Sequence, residues 1–186
     1  RLEVYAEKHA LAIVMPMGFR GFYTTNHAGP DYARYVVRDV CGAAERAFRL
    51  RTDRGGRAIA GLSMGGYGAL RLALAYPELF AAAVSHSGAL YFADKDQQRK
   101  NGPMIDDEFR RVFGPDIRGT DHDLLHLARR CVKKKSRPKL LIDCGVDDFL
   151  LEHNRAFTRA LKSIKYPHTY HEFPGDHTWD YWDQHV

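Results

Sequence analysis

Ser63 stands between Gly61 and Gly65 in the stretch "AGLSMGGYGALRLALAYPELF", residues 60–80. A serine hydroxyl is a poor nucleophile until an imidazole takes its proton, and a carboxylate is needed to fix that imidazole's tautomer. A working site therefore demands an acid and a histidine elsewhere in the chain. "GVDDFLLEHN", starting at Gly145, offers Asp147 and Asp148, and "PGDHTWDYW" offers His177 flanked by Trp179 and Trp182. The competing reading of each group is ordinary: turn glycines around a helix-capping serine, aspartates capping the next helix, and one surface histidine among ten.

The elements around these residues decide between the two. Arg57–Leu62 is a short apolar run bounded by "DRGG" and reads as a buried strand, and the Ala- and Leu-rich run after Ser63 reads as a helix that stops at Pro77. A strand that becomes a helix within one or two residues forces its turn residue into a strained conformation. Gly61 and Gly65 would remove the Cβ atoms that collide there. Such a Gly-x-Ser-x-Gly turn is a nucleophile elbow. "KLLIDC" (Lys139–Cys144) reads as a buried strand, so Asp147 and Asp148 fall at its carboxyl end, where parallel sheets bind ligands. His177 follows the strand expected at His168–Phe173. The order Ser, Asp, His is that of an α/β-hydrolase.

Further strands are expected at Ala10–Met15 and Ala81–Ser85, with helices at Asp31–Leu50 and Phe149–Lys162. The first helix is expected to turn Tyr32, Val36, Val40, Ala43 and Ala47 inward. Alternation of this kind predicts an α/β domain spanning 1–186, with a mostly parallel sheet covered by helices on both faces. Residues 91–130 are polar and Gly-Pro-punctuated and break the alternation, as a lid or insertion would.

Composition narrows the partners. Hydrophobic content of 45% with 27% charged residues is that of an ordinary soluble domain, and no apolar run is long enough to span a membrane. The net charge of +5 is mild, and "KKKSRPK" (Lys133–Lys139) reads as a solvated loop rather than a nucleic-acid patch. Three cysteines, Cys41, Cys131 and Cys144, show no C-x-x-C spacing, which leans towards a reducing, cytoplasmic setting. His122 and His126 have metal-compatible spacing but no evident third ligand. No metal or organic cofactor is called for. Tyr23, in the loop "GFRGFYTTN", and Trp179 are candidates to line the pocket, while His86 follows the third strand.

"GLSMGGYGALRLALAYPELF", "CGVDDFLLEHN" and "GDHTWDYW" together resemble the esterase D-like hydrolases, which include tributyrin esterases, S-formylglutathione hydrolases, feruloyl esterases and the related mycolyltransferases. The resemblance runs from about Ala10 to the C-terminus. It implies that the acid is the fourth residue of Gly145–Asp148, favouring Asp148 over Asp147, and it assigns the oxyanion N–H to Met64. The loop "GFRGFYTTN" resembles the one bordering the pocket in the tributyrin-esterase branch. The function it implies is a serine esterase acting on a small-molecule ester, with acyl transfer of the mycolyltransferase type or a dead hydrolase-fold binding protein as the alternatives. Oligomeric state stays open. One departure stands out: the family's second oxyanion N–H comes from a His-Gly-type loop after an earlier strand, and no such loop precedes Ala10. Residues at the N-terminus, and some at the C-terminus, are therefore expected beyond this sequence.

Overall fold

The structure is a computed structural model that describes residues 2–90 and 106–186. Its centre is a parallel sheet of β1 (Ala58–Leu62), β2 (Ala82–His86), β3 (Lys139–Gly145) and β4 (His168–Phe173), in that spatial order. Each neighbour is also the next strand in sequence, so every connection steps the same way across the sheet. Register pairs Leu62 with His86, His86 with Asp143, and Gly145 with Phe173, which aligns the carboxyl ends along one rim.

In chain order the helices are α1 (Leu2–His9), α2 (32–47), α3 (Met64–Ala75), α4 (Asp106–Phe113), α5 (Leu124–Cys131), α6 (Leu151–Ser163) and α7 (Trp179–His185). α3, α5 and α6 cover one face of the sheet. Their apolar sides bury Leu70, Leu74, Leu127, Phe157 and Leu161 against Ala83, Leu140 and Ile142. Full burial stabilises a side chain of this size by about 1.5–3 kcal/mol, so this layer dominates the fold. α7 sits at the carboxyl rim of the opposite face, where His185 stacks on Phe173 at 4.3 Å between ring centres. The resulting layered, mostly parallel α/β architecture is that of the α/β-hydrolases.

Two expectations about these elements are corrected. Ala10–Met15 forms no strand: the segment is irregular, with Leu11, Ile13, Val14 and Met15 exposed. Apolar residues need a partner ladder to become a strand, and among the described residues none lies beside them. β1 is accordingly an edge of the described sheet, with Ala58 and Ala60 exposed rather than buried.

The helix expected at Asp31–Leu50 is present, and the Asp31 carboxylate caps it by accepting from the Arg34 N–H at 3.0 Å. Its middle, Tyr35–Val40, is π-helical, and the Cys41 N–H reaches back to the Val36 carbonyl. Such a bulge inserts an extra residue and rotates the remaining turns of the helix by about 100°. Ala33 and Val36, before the shift, are buried, whereas Ala43 and Ala47, beyond it, face solvent instead of the core. Of the suggested insertion, 91–105 lies outside the described residues, and the rest supplies α4 and α5.

Candidate active site

Ser63 occupies the one-residue junction between β1 and α3, with φ +54° and ψ −119°. A non-glycine residue at this φ is strained, and it persists because its surroundings fix it from both sides. The Ser63 N–H donates to the His86 carbonyl at 2.9 Å, and the Ser63 carbonyl accepts from Tyr67 and Ala89 N–H groups at 3.2 and 3.1 Å.

Gly61 is indispensable to the turn, since a Cβ there would run into the backbone of Gly65. The expectation for Gly65 is corrected, because this residue has room: its nearest neighbour would be the Tyr23 ring at 3.9 Å. The second tight glycine is Gly66, where a Cβ would lie 2.5 Å from Ser85 Oγ and 3.0 Å from Gly88 Cα. The motif names Gly65, but the steric demand falls one residue later. Met64 opens α3, so its N–H has no carbonyl four residues back within the helix and stays available beside Ser63.

Asp148 and His177 reach Ser63 through two loops locked together at Gly145 and Gly175. A Cβ on Gly145 would strike the Gly175 carbonyl, and the Asp147 N–H donates to that same carbonyl at 3.0 Å. The Asp148 side chain is fully buried and does two jobs. Oδ1 accepts from the Leu150 N–H at 2.8 Å, capping the approach to α6, and Oδ2 lies 2.8 Å from His177 Nδ1. Asp147, the alternative acid, is exposed.

His177 Nε2 lies 3.0 Å from Ser63 Oγ. Facing a carboxylate, Nδ1 carries the proton, which leaves Nε2 to accept from the serine hydroxyl. Burial pushes the Asp148 carboxyl up, but the His177 hydrogen bond, the neighbouring Ser87 hydroxyl and the Leu150 N–H outweigh it and hold Asp148 below the usual carboxylate range. Ser87 Oγ contributes by proximity only, as it meets no hydrogen-bond geometry.

Aromatic rings enclose His177. Phe149 lies 4.6 Å away and Trp182 meets the imidazole edge-on at 4.9 Å, with Trp179 edge-on to Trp182 at 5.2 Å. Trp182 is buried, while Phe149 and Trp179 are exposed. Sequence reasoning does not single out Phe149, although its place directly after Asp148 is a usable signal. Tyr23 has φ +52° and lays its ring over Gly65 and Gly68 of α3, where burial raises its phenol pKa. His86 is buried beneath the rim beside Asp143.

Among the described residues no cluster of three or more His, Cys, Asp or Glu side chains could hold a metal ion, and no helix is long and apolar enough to cross a membrane. His122, the histidine of metal-compatible spacing, instead shares a 2.9 Å hydrogen bond with Thr24 Oγ1.

The family described as "Putative esterase" matches residues 4–186. An acetyl esterase from Caldicellulosiruptor saccharolyticus is 31% identical over 193 residues, covering 100% of this chain and 73% of that protein. Among solved structures, the fluorophosphonate-binding serine hydrolase FphF of Staphylococcus aureus superposes with a TM-score of 0.88 at 35% identity, covering 99% of this chain and 71% of that one. The S-formylglutathione hydrolase FrmB, also from Staphylococcus aureus, gives a TM-score of 0.84 at 35% identity, over 99% and 72%.

Proposed function

This chain belongs to the esterase family and is a carboxylic ester hydrolase, and we propose that it works through an acyl-enzyme formed on Ser63. The observation that carries this reading is the unbroken chain from Ser63 Oγ through His177 to Asp148, at 3.0 and 2.8 Å. His177 Nε2 takes the serine proton as Oγ attacks the ester carbonyl. The imidazolium formed is stabilised by Asp148, and the negative charge on the carbonyl oxygen is met by the Met64 N–H. The tetrahedral intermediate collapses as His177 returns the proton to the leaving alcohol. Water then repeats the sequence on the acyl-enzyme, with His177 again as base, and frees the acid and Ser63. No metal or organic cofactor enters any step.

The leaving alcohol must come within reach of His177 Nε2, so it meets the exposed rings of Phe149 and Trp179. Tyr23 borders the site from the side of α3. The substrate we infer is a small ester with a short acyl group, in keeping with relatives that are an acetyl esterase and an S-formylglutathione hydrolase. A series of p-nitrophenyl esters of rising acyl length tests this: rates should be highest for acetate and fall with length. A flat profile, or Ser63 left unlabelled by a fluorophosphonate, overturns it. Transfer of the acyl group to an added alcohol would use the same acyl-enzyme and is separated by acceptor competition.

A further inference from the structure

A second buried polar chain lies directly beneath the site and takes no part in the steps above. The Tyr181 hydroxyl, on α7, donates to Asp143 Oδ1 at 2.9 Å. Asp143 Oδ2 is in turn 2.7 Å from His86 Nδ1, a close polar contact that is off the line of a hydrogen bond. All three residues are at most 5% exposed. His86 and Asp143 are register partners on β2 and β3, and the Ser63 N–H donates to the carbonyl of that same His86. Burying a phenol, a carboxyl group and an imidazole together costs more than burying apolar side chains of equal size, so stability alone does not account for them.

What the chain holds is α7. A helix of seven residues is too short to be stable on its own and takes its position from tertiary contacts. Tyr181 supplies two: its hydroxyl bond to Asp143, and its ring packed under Gly175, where a Cβ would sit 2.8 Å from Tyr181 Cδ2. The next residue, Trp182, is the one whose ring sets the edge of His177. We propose that Tyr181, anchored on Asp143, is a positioning residue for His177: it fixes α7, and through Trp182 and Gly175 the imidazole, in the plane that joins Asp148 to Ser63. The inference rests on His177 being the proton carrier of the proposed reaction.

The test is Tyr181→Phe, which keeps the ring and removes only the hydroxyl. With p-nitrophenyl acetate, kcat should fall about tenfold while KM stays within about twofold, as for an interaction felt in the transition state. In the proton NMR spectrum the low-field resonance of His177 Nδ1–H should broaden or shift in the variant. A folded Tyr181→Phe with kcat within twofold of the parent and an unchanged resonance overturns the proposal. Should Tyr181→Phe not fold, Asp143→Ala decides, because it removes the acceptor of the phenol: a tenfold loss of kcat that Asp143→Asn, which keeps a carbonyl acceptor, largely restores supports the anchoring bond. A kcat within twofold of the parent in Asp143→Ala, with an unchanged resonance, refutes it. The resonance does not depend on which ester is cleaved. A parent protein inert to the ester would therefore sink the substrate reading and leave the spectrum to judge the positioning role.

Discussion

Two histidines meet the same helix, α3, and their surroundings give them opposite fates. His177 approaches its N-terminus with a buried carboxylate on one nitrogen, a serine hydroxyl on the other and an edge open to solvent. His122 lies against its second and third turns. There its carbonyl accepts from the Tyr67 hydroxyl at 2.9 Å and its ring shares a hydrogen bond with Thr24. Burial, helped by the nearby Arg71 guanidinium, drives the His122 pKa down to about 4. An imidazole held neutral beside a cation cannot cycle a proton near neutrality, whereas one paired with a carboxylate can. A histidine becomes a base through its partners, and neither burial nor a hydrogen bond is sufficient.

The contrast can be broken most directly at Ser63, the proposed nucleophile. Ser63→Ala should lower kcat by about 10⁶-fold while the circular dichroism spectrum stays that of the parent. Appreciable hydrolysis by the folded variant would show that His177 serves some other group. Next in size is the acid: Asp148→Asn should cost about 10⁴-fold in kcat, because the imidazole loses the partner that fixes its tautomer, while Asp147→Asn should change it less than about threefold. Steady-state kinetics on the two variants settle the pair, and reversed effects would move the acid by one residue. Smaller again, Trp179→Ala and Tyr23→Ala should alter relative rates across an ester series by about three- to tenfold, the scale of a few lost apolar contacts. Unchanged ratios would remove those side chains from the pocket.

The smallest kinetic effect belongs to the other histidine. His122→Gln should leave kcat/KM within about twofold and change the pH dependence of stability instead. The folded pKa of His122 lies near 4, below the 6.5 of a free histidine, so the unfolded chain binds more protons in between. Stability is therefore complete above pH 6.5 and is lost as the pH falls towards 4. Asp148 adds a second loss at lower pH: its folded pKa is depressed, so its contribution is present above the free value of 3.8 and disappears as pH drops through the folded one. Denaturant melts between pH 7 and 3 should show the upper step shrink in His122→Gln, the remainder belonging to His153, whose folded pKa burial also depresses. An undiminished step would place the titration elsewhere.

The elbow was legible because its constraint is local: β1, Ser63 and α3 are contiguous, and the glycines announce the turn. Asp148 and His177 were legible because each follows a strand that its own residues specify. Where partners are distant, the sequence was silent or misleading. "ALAIVM" has the composition of a strand, yet pairing is a property of the neighbour, and no described neighbour exists. The π turn in α2 shifts a helical face that periodicity alone had set from Tyr32 to Ala47. The tight glycine proved to be Gly66 because Ser85 and Gly88, on another strand and loop, press against it. Tyr181 and Asp143 went unmarked for the same reason, being joined across 38 positions of sequence.

The one-way strand order has a kinetic consequence. Ser63 follows β1 and His177 follows β4, so their hydrogen bond spans 114 residues of chain and the full described width of the sheet. Contacts of such separation carry a high closure entropy and form late. During refolding, helical signal from α3 and α6 should therefore return before hydrolysis does. Regained activity then times the docking of the last strand and helix, making the enzyme its own clock for the completion of folding.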